Sequence, residues 1–400
     1  MNRQMMNDLS IQEKTEDVLA AVRLGKEKNI GLLTGTLGTT LTLFYATKQN
    51  SLYQEISEKS LKAVLRKISQ QKYYSFSNGL AGIGWALEHL EQKGYTKHNT
   101  NILLEDFDLV LSHALDFEMK NGNYDFLHGA LGIALYFINR IQKNESLLPI
   151  LQRFIVQLNE LGETQSTNSI KWISAINLEK QKMAYNISLS HGMSSIAVIL
   201  SKLYAIKGID QVMAKNLLQG CINYILEQEI DKTKYGTYFP SYAIESMERL
   251  QGSRLAWCYG DLGIAMALWQ AGVALKNKTW ENKALEILLF AAEKRRNLEQ
   301  NYVKDAALCH GTAGIAHVFY RAWWNTRLPE FKNATEYWFE QTLKMATFTD
   351  GLAGYKTWYG EKKGWVNIYG LVEGIAGIGL ALMTYYYEVE PTWDECLLLS

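Results

Sequence analysis

One short pattern returns along the whole of this chain and constrains its fold more than any other feature. Gly-x-x-Gly, followed by a mostly apolar run, occurs at Gly35/Gly38, Gly79/Gly82, Gly129/Gly132, Gly260/Gly263, Gly311/Gly314 and Gly374/Gly377. A seventh copy begins at Gly192, where Ser195 replaces the second glycine. Successive first glycines are 44, 50, 63, 68, 51 and 63 residues apart, the length of one helical hairpin plus a variable loop. Small residues every three or four positions let helix backbones approach closely, so these segments read as inner, fully packed helices.

Between them run amphipathic segments with apolar residues near a 3.6 period, such as Leu61, Val64, Leu65 and Ile68, or Leu151, Phe154, Ile155 and Leu158. Similar segments lie near 212–229, 279–297 and 333–349, and all read as outer helices. Alternating inner and outer helices can form an open superhelix or a closed ring. The first and last inner segments are as apolar as the middle ones, whereas an open solenoid needs polar capping repeats. The expected fold is therefore all-α, a closed α/α toroid of seven helical hairpins, about fourteen helices, in one domain spanning 1–400. With only 4 prolines among 400 residues, composition supports helix throughout.

Balanced charge, with 41 Lys plus Arg against 41 Asp plus Glu, gives no net field to draw in nucleic acid. Met1 to Leu19 is polar and lacks the apolar core of an export signal. The long apolar stretches Leu255 to Leu275 and Tyr369 to Tyr387 are interrupted or flanked by Asp261, Arg254 and Glu373, which argues against membrane spans. The four cysteines lie far apart, unlike a disulfide framework, so a reducing cytoplasm is expected.

Residues just ahead of each Gly-x-x-Gly should ring one mouth of the toroid. There the fifth and sixth repeats both carry cysteine, two positions before the first glycine: Cys258 and Cys309, the latter followed by His310. Equivalent positions in adjacent repeats are spatial neighbours. Two thiolates and an imidazole are three ligands that zinc prefers, with a fourth position left for water or substrate. Cys221, inside an outer helix, and Cys396, in the tail, read as buried small hydrophobes. His191 and His128 each stand directly before a first glycine, Asp125 lies three residues before His128, and Arg254 lies four before Cys258. His191 reads equally well as a core or capping histidine. Asp125 is also placed to cap the Gly129 helix, Arg254 to be a surface cation, and His128 and Glu373 read as structural.

Trp257-Cys258-Tyr259-Gly260 and Cys309-His310-Gly311, with Ser190-His191-Gly192 and Tyr124-Asp125, make the chain resemble the lanthionine synthetase C-like (LanC) cyclases, over nearly all 400 residues. The resemblance implies zinc on Cys258, Cys309 and His310, with Asp125, His191, Arg254 and Tyr259 at catalytic positions nearby. It also implies conjugate addition of a peptide cysteine to dehydroalanine or dehydrobutyrine, closing a thioether ring. The expected partners are a dehydrated precursor peptide and a separate dehydratase, with no transmembrane segment and peripheral membrane association left open. The rival readings are addition of glutathione or another free thiol to dehydrated residues, and a non-catalytic zinc-stabilised scaffold.

Overall fold

All seven inner helices begin where the glycines place them. In the computed structural model, which describes residues 3–25, 27, 29–165, 168–177, 182–243 and 251–400, Gly35, Gly79, Gly129, Gly192, Gly260, Gly311 and Gly374 are the seven N-caps. The helices that follow are Thr36–Thr47, Leu80–Gln92, Ala130–Arg140, Met193–Tyr204, Asp261–Leu275, Thr312–Thr326 and Ile375–Tyr386. Seven outer helices alternate with them: Arg3–Val22, Leu52–Leu65, Glu105–Lys120, Leu148–Leu161, Gln211–Glu227, Lys278–Lys294 and Pro329–Lys344. Among the described residues no helix is long and apolar enough to cross a membrane.

The chain forms two compact units. The first comprises Met1–Tyr73, Ser77–Lys97 and Arg296–Trp393. Its inner helices pack in the order sixth, seventh, first and second, so the last repeat lies directly against the first. The lead-in segments are laced in the same order by backbone hydrogen bonds. Cys309 N–H donates to Val372 O (2.9 Å), Leu371 and Val372 N–H donate to Leu33 O (2.9 and 3.0 Å), and Leu33 N–H donates to Ser77 O (2.9 Å). The N-terminal helix Arg3–Val22 is the outer partner of the last inner helix, with Tyr386 Oη donating to Gln12 Oε1 (2.7 Å). A terminus that the sequence showed only as a polar segment thus completes the seventh hairpin.

The second unit, Tyr74–Phe76, His98–Arg295 and Asp394–Ser400, packs the inner helices of the third, fourth and fifth repeats side by side. Here Ser190 N–H donates to Cys258 O (3.3 Å), joining the fourth lead-in to the fifth.

The second glycine of the pattern has a more specific reason than close helix contact. A Cβ added at Gly132 would stand 2.3 Å from Phe126 O and 2.4 Å from Phe76 Cβ; at Gly377 the partners are Leu371 O (2.0 Å) and Leu308 Cδ1 (2.5 Å). Gly263 meets Trp257 O and Leu189 Cβ, and Gly38 meets Leu32 O and Leu371 Cβ, at 2.4 to 2.9 Å. In each case the carbonyl comes from the apolar residue three positions before the repeat's own first glycine. The side chain comes from the same position one repeat earlier. All seven such residues, Leu32, Phe76, Phe126, Leu189, Trp257, Leu308 and Leu371, are at most 1% exposed. Burying each contributes about 1.5–3 kcal/mol. Each of these four glycines is thus the slot into which the preceding repeat inserts its plug, and Leu371 in the Gly38 slot joins the last repeat to the first. Ser195 is tolerated in the fourth repeat with its hydroxyl turned back to donate to Gly192 O (2.6 Å).

Gly38→Ala tests this reading by sign. Helix propensity alone favours Ala by about 1 kcal/mol. Crowding against Leu32 O and Leu371 should instead cost about 1–3 kcal/mol. The denaturant midpoint is therefore expected to fall; a rise would remove the slot argument.

Among the described residues three short sheets decorate the loops: Glu163–Thr164 with Ile170–Lys171; Ser174–Asn177, Lys182–Asn186 and Tyr242–Ala243; and Thr357–Trp358 with Trp365–Val366. The sequence reading did not anticipate them. Strands of two to five residues are too short to leave a two-residue periodicity.

Candidate metal centre

The residue directly before each first glycine is Thr34, Asn78, His128, His191, Tyr259, His310 or Glu373, a polar set borne by seven apolar helices. Within the first unit the Thr34 hydroxyl donates to Asn78 Oδ1, and Glu373 O accepts from Thr357 Oγ1 (2.5 Å). One position earlier come Cys258 and Cys309. The Sγ atoms of Cys258 and Cys309 and a ring nitrogen of His310 all lie within 4.8 Å of one another. A tetrahedral ion with metal–sulfur bonds of about 2.3 Å spaces its sulfur ligands about 3.8 Å apart. The donor set therefore fits a tetrahedral thiolate and imidazole metal, and three protein ligands leave one position open. Cys258 is 4% exposed, while Cys309 and His310 are half-buried.

The lead-in that carries Cys258 is pinned from three sides. Asp261, the first residue of the following helix, is fully buried against Arg295 Nη1 (3.0 Å) and accepts from the backbone N–H of Tyr238 and Phe239. Arg295 Nη2 in turn donates to Ser253 O (2.7 Å), fixing the stretch that continues through Arg254 to Cys258. Ser190 donates to Cys258 O through both its N–H and its hydroxyl (3.3 and 3.2 Å). The turn into the helix is made at Gly260, whose φ of +94° suits only glycine, and a Cβ there would stand 2.3 Å from Arg254 O. None of the Asp261 and Arg295 anchoring was legible in the sequence, because Arg295 sits at the end of an outer helix.

Asp125 does not cap the Gly129 helix, whose N-cap is Gly129 itself without a side-chain hydrogen bond, and it makes two other contacts. Its Oδ1 accepts from His128 N–H (2.7 Å), while Oδ2 pairs with His191 Nδ1 at 2.6 Å. Burial by itself pulls the His191 pKa down, but the hydrogen bond and charge of Asp125, helped by Cys258, outweigh it and raise the value above 6.5. The His191 ring lies 6.0 Å from that of Tyr259 and 6.2 Å from that of His128. Tyr259 is half-buried, and burial pushes its phenol pKa up. Its ring meets Tyr242 edge-on at 5.6 Å, and its side chain hydrogen-bonds Asn186 and Tyr242. Sequence reasoning missed both of these residues: they face each other across a short sheet outside the repeat phase. Arg254 is half-buried in the same lead-in as Cys258. His128 is exposed.

Cys221 and Cys396 lie apart from this chemistry. Both are fully buried, burial drives their thiol pKa values up, and Cys221 Sγ donates to Met193 O (3.3 Å).

Comparison with known proteins bears on the fold and the family. A curated relative, the nisin biosynthesis protein NisC of Lactococcus lactis subsp. lactis, is 24% identical over 437 aligned residues, covering 99% of this chain and 97% of the relative. A solved structure of a nisin cyclase superposes with a TM-score of 0.77 at 21% identity, covering 97% of each chain, so the fold is the predominantly helical α/α toroid. The family model for lanthionine synthetase C-like proteins matches residues 26–398. With seven glycine-capped inner helices and the Cys/Cys-His lead-ins inside that span, the chain belongs to the lanthionine synthetase C-like family.

Proposed function

We propose that this chain is a zinc-dependent cyclase, a single domain over residues 1–400. It would join peptide cysteines to dehydroalanine or dehydrobutyrine in a precursor dehydrated by a separate enzyme in the cytoplasm. The observation that carries the reading is the convergence of Cys258, Cys309 and His310, supported by relatives described as nisin biosynthesis and nisin cyclase proteins. Zinc held by these residues would supply an open coordination position and lower the pKa of a substrate thiol from about 8.5.

The remaining steps fall to side chains of this chain. The substrate sulfur bonds to the β-carbon while the alkene electron pair moves to the carbonyl oxygen. Arg254 and Tyr259 are assigned to that oxygen or to the adjacent peptide. His191, protonated and held through Nδ1 by Asp125, delivers a proton to the α-carbon from its other nitrogen. The proton lost by the thiol restores it, so thiol and alkene become thioether with nothing left over.

The test is thiol blocking read by mass spectrometry on a purified dehydrated precursor. Ring closure leaves the mass unchanged but removes cysteines from alkylation, so the alkylated fraction is expected to fall with the protein and to stay high after chelation. Equal alkylation with and without the protein would overturn the reading. A glutathione-sized mass gain without ring closure, when glutathione is supplied, would reassign the chain to intermolecular thiol addition.

A further inference from the structure

The position six residues before a repeat's first glycine opens its lead-in, and three repeats place asparagine there: Asn29, Asn123 and Asn186. Asn29 Oδ1 accepts from Gly31 N–H (3.0 Å) and Asn186 Oδ1 from Ser188 N–H (2.9 Å), so each side chain shapes a turn two residues on. The sixth repeat, whose lead-in bears Cys309 and His310, places Asp305 at this position. Asp305 Oδ1 accepts from Ala307 N–H (3.0 Å) and makes the same turn. Its backbone carbonyl accepts from Thr312 N–H, as Asn29 O does from Thr36 and Asn123 O from Ala130 (3.0 Å each).

Asparagine therefore suffices for the turn, and a carboxylate at 305 needs another reason. Asp305 is 2% exposed, and no cation pairs with it among the described residues. Burying a carboxylate in this way is costly unless hydrogen bonds compensate it. The second oxygen supplies the reason: Oδ2 accepts from Trp358 N–H (3.0 Å), in the hairpin of Thr357–Trp358 and Trp365–Val366. An asparagine amide, whichever way it turned, would set its own N–H against one of these two donors. Lys304 adds a second contact, with Nζ over the Trp358 ring at 4.5 Å. The hairpin also reaches the seventh lead-in, where Thr357 Oγ1 donates to Glu373 O (2.5 Å), one residue beyond the Val372 carbonyl that accepts from Cys309 N–H (2.9 Å).

We propose that Asp305 is a positioning residue for Cys309 and His310, one oxygen setting the lead-in turn while the other braces that turn against the 357–366 hairpin. Its bearing on metal binding rests on the reading that Cys258, Cys309 and His310 hold zinc. A ligand held in place before the ion arrives loses less freedom on binding it, so loosening the brace weakens the metal.

The test compares three variants of the full protein by amide hydrogen exchange with mass spectrometry and by zinc competition against a chromophoric chelator. Asp305→Asn keeps the turn and loses the brace. In the metal-free protein, exchange should then quicken at Trp358 and across 307–311, and zinc affinity should fall about three- to tenfold. Asp305→Ala loses turn and brace together, and zinc affinity should fall about 10- to 100-fold, the range for residues that orient metal ligands. Asn29→Ala removes the same turn from a lead-in that bears no ligand. There exchange should quicken near 29–34 with zinc affinity unchanged, which a merely structural loss would not achieve. Circular dichroism should show the helices intact in all three. Exchange across 307–311 or zinc affinity left unaltered by both Asp305 variants would overturn the proposal, as would a zinc loss in Asn29→Ala equal to that in Asp305→Ala. Failure of the unmodified protein to bind zinc would sink the zinc reading alone, because exchange in the metal-free protein still decides the brace.

Discussion

Cys258→Ala is expected to remove zinc from the protein, taking metal analysis from one ion per chain to none, and to reduce ring closure to the rate without enzyme. Two protein ligands no longer hold the ion at useful concentration, and a substrate thiol near pKa 8.5 returns to a few per cent thiolate at neutral pH. The helical fold should survive, because the surrounding lead-in is held by backbone bonds from Ser190 to Cys258 O and by the Asp261 and Arg295 pair, none of which uses the thiol. Far-UV circular dichroism and inductively coupled plasma analysis of the same sample separate the two effects. Cys309→Ala and His310→Ala should behave alike. Cys221→Ala is the control, since its thiol is fully buried and donates to Met193 O (3.3 Å). Loss of zinc from that variant, with zinc retained in Cys258→Ala, would place the metal elsewhere.

The second large effect is expected at His191. His191→Asn should keep zinc and fold yet slow ring closure by about 10²- to 10⁴-fold, the range for loss of a general acid or base. Zinc loss in this variant would make His191 a ligand, and an unchanged rate would return it to a packing role. Asp125 gives the assignment a pH signature. Burial lowers the His191 pKa and Asp125 raises it, with the net shift upward. A group raised in this way stays protonated to higher pH, so Asp125→Asn should move the His191 titration downward. NMR of the chelator-treated protein can follow the imidazole directly. The rate of Asp125→Asn should then begin to fall at a lower pH than that of the unmodified protein. Coincident titrations in the two proteins would remove Asp125 from this role.

The sequence by itself determined the repeat number, the start of every inner helix and the phase of the Cys/Cys-His set. These follow from local chemistry: a glycine that must cap a helix or accept a plug at van der Waals distance cannot be replaced without cost, so it marks its position wherever it recurs. Equivalent phase then makes distant residues neighbours, which is how Cys258 and Cys309, 51 positions apart, could be grouped before any coordinates. The tertiary structure decided what has no periodic signal. Arg3–Val22 reads as an ordinary polar segment until its apolar face meets the last inner helix. Asp261 reads as a charge interrupting an apolar stretch until Arg295 arrives from an outer helix to compensate its burial. Asn186 and Tyr242 reach Tyr259 across a sheet too short to detect, and the 357–366 hairpin is placed by single hydrogen bonds to Asp305 and Glu373. Such contacts depend on where loops of variable length come to rest, and loop length carries little sequence constraint because closing a longer loop costs only a few tenths of a kcal/mol more.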